Sequence, residues 1–175
     1  MSRLHVAGVL LASFALLSGG PLAAPPTGAA AHTEQRAARV PEHIRSLNPG
    51  LSQAGAERIW SAVERYAEKY ELAPDLVLAV LEVESHARIG ARSPKGALGL
   101  MQVMPHMAAL LDLAGNYTTV ETNVEAGCVI LAHNIRRLGE EDGISAYFWG
   151  SEIRSVSYLN RVRSARVFYR RLLHG

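Results

Sequence analysis

Beyond residue 50 the apolar positions of this chain recur every three or four residues, the spacing of helices with one buried face. Ala56, Ile59, Trp60, Val63, Tyr66 and Tyr70 follow that rhythm, and Ser52 stands where an N-cap belongs. Pro74 and Asp75 open a second helix. Proline suits the first turn, and an acid suits the positive end of the helix dipole. Leu76 to Leu81 is apolar nearly all round, which predicts a central, buried helix. A third helix is predicted to start near Leu100 or Met101, with Pro105 in its first turn or as a break. A fourth spans about Glu121 to Leu138, with Val124, Cys128, Leu131, Ile135 and Leu138 on one face. Gly143 marks a turn before Ile144 to Trp149, and a last helix covers roughly Ser155 to Leu173. Alternation of period two is weak throughout. The pattern predicts an all-α domain of five or six helices.

The first third of the chain reads differently. Arg3 followed by the apolar run Val6 to Leu17 has the form of a secretory signal, and the run is short for a membrane span. Small residues at Ala29 to Ala31 suit a peptidase, so residues 1–31 are expected to be a signal peptide, with an uncleaved anchor as the alternative. Residues 32–48 are polar and weakly patterned and read as a linker. Asn48-Pro49-Gly50 is a strong turn signal, which places the folded domain at 49–175. These readings predict export to the periplasm or cell envelope. The 175 residues are enough for one domain with a modest core. Cys128 is the only cysteine, so no internal disulfide supports that core, and its place on an apolar face suggests packing. The net charge of +2 says little. Arg154, Arg161, Arg163, Arg166, Arg170 and Arg171 make the C-terminal segment basic, as a solvated face or an attraction to an anionic surface. Nucleic acid is not expected as a partner, since no binding motif is present. The seven histidines include no H-E-x-x-H and no close ligand pair, so neither a metal nor another cofactor is expected.

One carboxylate stands out. Val77, Val80, Leu81 and Glu84 fall at i, i+3, i+4 and i+7, so Glu84 continues a buried stripe. Burial disfavours the charged form and raises a carboxyl's pKa, which suits a general acid near neutrality. Spacing alone leaves a second reading open, a helix-end glutamate partnered by Arg88. Glu82 lies about 200° round the helix from Glu84, so the two cannot share a site. Ser93, Gly96, Gly99 and Gln102 follow closely. The glycines permit close backbone approach, Ser93 offers a hydroxyl to the carboxyl or a sugar, and Gln102 carries both a donor and an acceptor.

From about Glu71 to Met104 the chain resembles the soluble lytic transglycosylase family, bacterial relatives of goose-type lysozyme. The family's ES dipeptide after an apolar helix is Glu84-Ser85. Its A-x-S-x-x-G-A-x-G-L-M-Q run is Ala91-x-Ser93-x-x-Gly96-Ala97-x-Gly99-Leu100-Met101-Gln102, followed by Met104-Pro105. More loosely, Asn123 and Gly127 fit N-x-x-x-G, Ala146-Tyr147 and Gly150 fit A-Y-N-x-G, and Tyr158 to Val162 fits Y-V-x-x-V. Phe148 stands where that pattern has asparagine.

The resemblance implies a lysozyme-like catalytic domain and a lytic transglycosylase, a lyase that cleaves the β-1,4 bond between N-acetylmuramic acid and N-acetylglucosamine in peptidoglycan. Such enzymes use one glutamate, here Glu84, and close a 1,6-anhydro ring on the muramic acid without water. No acid lies between Glu84 and Asp112, which agrees. The resemblance also implies that Ser93, Met101 and Gln102 contact the substrate, with Tyr147 and Tyr158 near the acid or the sugar. Phe148 either stacks on a sugar or joins the core, and Trp149 is expected in the core. Peptidoglycan strands are the expected partner of a monomer, with a secretion, conjugation or flagellar assembly as further candidates. A hydrolysing muramidase and a catalytically idle peptidoglycan-binding or scaffold module remain the alternatives.

Overall fold

The computed structural model describes residues 38–110 and 116–175. The expected signal peptide therefore lies outside the described residues. Seven helices follow in order: α1 Arg39–Leu47, α2 Gln53–Lys69, α3 Pro74–Ser85, α4 Pro105–Leu110, α5 Val120–Leu138, α6 Glu140–Trp149 and α7 Ser157–His174. Among the described residues there is no strand, only two isolated bridges that pair Leu98 with Arg92 and with Val103. No described helix is long and apolar enough to cross a membrane.

The core is built on α3. Val77 to Leu81 are completely buried, and α7 and α2 pack against the helix. Asp75, at its N-terminus, is 3% exposed and accepts from Arg166 Nε at 2.8 Å and Arg170 Nε at 2.9 Å. Two of the six C-terminal arginines thus pin α7 to α3. Arg163 pairs with Glu141, and Arg154 with Glu152 at 3.2 Å, so much of the basic segment is neutralised within the fold. Cys128 is buried, and its surroundings push the thiol pKa up, as expected of a packing residue.

Four elements differ from the sequence reading. Residues 39–47, assigned to a linker, form α1, because Val40, Pro41 and Ile44 make a narrow apolar stripe that packs on the core. The third helix begins at Pro105, not near Leu100. Gly99 (φ 73°) and Gln102 (φ 48°) are left-handed, which interrupts a helix there. Trp149 is only half-buried and donates through Nε1 to Ser155 O at 3.0 Å, so it belongs to the rim rather than the core. Gly143 lies inside α6. The turn is at Gly139 (φ 83°), and Gly143 is where α6 crosses α5: a Cβ there would sit 2.6 Å from Ile135 Cα and 2.7 Å from its nitrogen.

Gly143→Ala therefore sets two effects against each other. Helix propensity favours alanine by about 1 kcal/mol, whereas a clash with backbone atoms costs about 1–3 kcal/mol in a packed core. The contact is to backbone and cannot rotate away, so a net loss of stability is expected. A thermal melt checks this, and an unchanged or raised midpoint contradicts the crossing described.

Candidate active site

Glu84 is the penultimate residue of α3, where the buried helix reaches the surface. The chain then reverses: His86 (φ 50°) and Ala87 (φ 58°) are both left-handed. Consecutive left-handed residues without glycine are costly and persist where surrounding contacts impose them. Ala87 is fully buried, and its carbonyl accepts from Asn48 Nδ2 at 3.1 Å. The reversal carries Arg88 to Ser93 back across the end of α3. These residues, with Asn48, Glu84 and Gln102, enclose a cavity of about 600 Å³.

Glu84 is half-buried. Tyr158 Oη, on α7, donates to its Oε1 at 2.7 Å. Burial pushes the carboxyl up to about 7, against the opposing pulls of the Tyr158 hydrogen bond and the Arg161 charge. Desolvation outweighs both because the tyrosine is a neutral donor and Arg161 is exposed to water. Glu82 lies in different surroundings. It accepts from Tyr169 Oη at 2.8 Å, lies 3.7 Å from His43 Nε2, and is held below the usual carboxylate range by those groups. One helix thus carries two glutamates, one favouring its proton and the other its charge. Arg88, the partner of the capped-helix reading, donates its Nε to Ser85 O at 2.9 Å, a contact with backbone.

The loop opposite Glu84 is held from below by Asn123, 1% exposed on α5. Its Oδ1 accepts from Met101 N at 2.8 Å, and its Nδ2 donates to Leu98 O at 2.8 Å and Tyr117 O at 2.7 Å. Gly99 makes room for that amide, since a Cβ there would sit 2.3 Å from Asn123 Nδ2. Gly127, one turn along, makes room for Met101, whose Sδ would lie 2.4 Å from a Cβ. The N-x-x-x-G spacing and the G-L-M-Q run are therefore two halves of one contact. Tyr147 on α6 adds a third anchor by donating to Met101 O at 2.8 Å. Burial and the Glu84 charge both hold its hydroxyl far above the ordinary tyrosine range.

The sequence-chosen residues thus separate. Tyr158 touches Glu84. Gln102 and Ser93 share its cavity. The Ser93 hydroxyl caps its own loop, accepting from Ala97 N at 3.0 Å, and Gln102 Nε2 donates to Gly99 O at 2.9 Å. Met101 does not line the cleft: its side chain is fully buried and only its backbone contributes, so the expected substrate contact is corrected to a packing role. Tyr147 lines a second cavity of about 450 Å³ that continues past Gln102 between the loop and α6, with Phe148, Trp149 and Met104. Sequence reasoning gave no role to Asn123. Its signal was the N-x-x-x-G match, a polar side chain one turn before Gly127 on the face of α5 that carries Val124 and Cys128.

The match to known proteins follows this geometry. The model of the transglycosylase SLT domain matches residues 61–158, a span that includes Glu84, the loop and Tyr158. A transglycosylase of Enterobacteria phage PRD1 is 30% identical over 110 residues, which cover 58% of this chain and 41% of the phage protein. Among solved structures, an inactive mutant of the lytic transglycosylase Slt from Pseudomonas aeruginosa superposes with a TM-score of 0.55 at 21% identity. It covers 65% of this chain and 24% of that one. The chain thus spans well under half the length of either relative.

The electrostatics carry a stability consequence. A carboxyl whose pKa is raised on folding binds its proton more tightly in the native state, so ionising it weakens the fold. The loss begins above the unfolded value near 4.5 and is complete above about 7. Glu84→Gln keeps an oxygen for Tyr158 and cannot ionise. It is expected to melt above wild type at pH 8 and within error of it at pH 4. A variant less stable than wild type at pH 8 contradicts the raised pKa. For the loop, Asn123→Ala removes the buried acceptor of Met101 N and one donor each to Leu98 O and Tyr117 O, at about 1–3 kcal/mol. Denaturant unfolding is expected to show a loss of that size, and a loss below about 0.5 kcal/mol, within the range of neutral surface changes, contradicts the anchor.

Proposed function

Because this chain belongs to the transglycosylase SLT domain family, we propose that it is a peptidoglycan lytic transglycosylase with Glu84 as its single acid and base. The observation that carries this reading is the isolation of Glu84. It is the one carboxyl among the described residues lining the 600 Å³ cavity, it is desolvated, and it has a neutral hydrogen-bond donor on one oxygen. Most glycosidases that use water or form a covalent intermediate place a second carboxylate about 5–9.5 Å away. Glu82, the nearest acid in sequence, is engaged by Tyr169.

In this mechanism a glycan strand lies along the cleft past Gln102. Protonated Glu84 gives its proton to the glycosidic oxygen as the bond from muramic acid C1 breaks, and the N-acetylglucosamine leaves with a free 4-hydroxyl. The charge left on Glu84 is stabilised by Tyr158 Oη and by Arg161. The muramic acid 6-hydroxyl then attacks C1, its proton passes to Glu84, and a 1,6-anhydro ring closes. The carboxyl ends as it began and no water is consumed. A pKa near 7 suits both halves, because an acid poised at the working pH gives and takes a proton with little penalty. Ser93, Gln102 and Tyr147 border the path. The cell envelope, where this substrate is found, is the place of action.

Wild-type protein is expected to release muropeptides with anhydro ends from purified peptidoglycan. Glu84→Gln is expected to lose at least about a hundredfold in rate, the scale of general acid–base catalysis, while Glu82→Gln retains activity. Mass spectrometry of the products reads the outcome. Reducing ends in place of anhydro ends mean hydrolysis. Full activity of Glu84→Gln, or loss only in Glu82→Gln, contradicts the assignment.

A further inference from the structure

The phenylalanine at 148 sits at the mouth of the cleft, 49% exposed. Its ring lies over Tyr158, with centroids 4.9 Å apart and planes 16° from parallel. Trp149 meets it edge-on at 4.9 Å and 89°, and is itself tied through its indole N–H to Ser155 O. Tyr158 is 1% exposed, so the Phe148 ring is part of what covers it, and the Tyr158 hydroxyl is the donor to Glu84. An asparagine at this position offers an amide and no ring face to cover the phenol.

We propose that Phe148 is a positioning residue: stacked on Tyr158, it holds the phenol in line with the Glu84 carboxyl and keeps water from that side of their hydrogen bond. Its effect on catalysis therefore runs through Tyr158 rather than through the sugar, and that part rests on the reading of Glu84 as the acid. The charged and titratable groups around Glu84 are Tyr158 and Arg161 on α7, Tyr147 on α6, and Arg88 and Arg92 on the wall of the same cavity. Substituting Phe148 removes none of them. A change in Glu84 titration would then report water and the Tyr158 contact, not a lost charge.

The test compares wild type, Phe148→Ala and Phe148→Tyr, a ring that keeps the stack. In Phe148→Ala, kcat on peptidoglycan is expected to fall roughly three- to tenfold, the scale of one aromatic stack, with KM changed less than twofold. The high-pH fall in kcat, where Glu84 loses its proton, is expected to move to lower pH, because water reaching the carboxyl outweighs the opposite effect of a loosened Tyr158 hydrogen bond. Phe148→Tyr is expected to restore most of both. NMR titration of the labelled Glu84 carboxyl in the substrate-free proteins gives a readout independent of activity: a lower midpoint in Phe148→Ala than in wild type. If the proteins prove inactive on peptidoglycan but the midpoint moves, the proposed function fails and the positioning role stands. An unmoved midpoint overturns the positioning role. So does a change confined to KM, which would place Phe148 against the substrate.

Discussion

The desolvation of one carboxyl at the end of a helix buried on every side is what the rest of this structure serves. Helix α3 is apolar through Leu81, so its last turn has to bring the chain out of the core, and Glu84 leaves with part of its side chain still among apolar neighbours. A buried carboxyl either takes a proton or takes a cation. Here the contact made is a phenol, which stabilises the carboxylate without fixing it as a salt bridge does, and the proton stays in play near neutrality. Glu82 shows the alternative two residues away. A histidine and a tyrosine hold it as a carboxylate, and it serves the packing of α1 and α7.

The cleft wall depends on the same economy of polar groups. A loop with left-handed residues at Gly99 and Gln102 has no helix to satisfy its backbone, and burying it would leave Met101 N unpaired, although Leu98 O accepts from Val103 N at 2.9 Å. Asn123 supplies the acceptor for Met101 N, gives Leu98 O a second donor from the same side chain and reaches Tyr117 as well. Two glycines, on opposite sides of that contact, let the loop sit close enough for it to form. Tyr147, the third anchor, belongs to α6, whose own position is set by the Gly143 crossing with α5. The wall facing Glu84 is thus fixed by the packing of α5 and α6, and the acid by the packing of α3 and α7.

Much of this was legible in the sequence. The apolar rhythm located α2, α3, α5 and α7 to within a few residues, because each buries a stripe long enough to repeat. The motif singled out Glu84, Gln102 and Tyr158. Short elements were harder. Helix α1 shows its stripe only through Val40 and Ile44, one turn apart, and α4 follows a loop whose apolar residues look helical until Gly99 and Gln102 turn left-handed. Gly143 reads as a turn because a helix crossing and a turn both call for glycine, and nothing local separates them. Met101 was misplaced for a related reason: the motif marks its backbone, while its side chain fills the space over Gly127. The stack of Phe148 on Tyr158 joins residues ten apart across a bend, which no periodicity reveals.

Proton transfer by this site requires Glu84 to hold its proton near neutrality. Its carboxyl can be titrated directly by NMR in wild-type protein carrying labelled glutamate, with Glu84→Gln identifying the resonance. A midpoint near 7 is expected, well above that of Glu82, whose His43 and Tyr169 contacts hold it below the usual carboxylate range. A Glu84 midpoint at the ordinary carboxylate value, near 4.5, would contradict it.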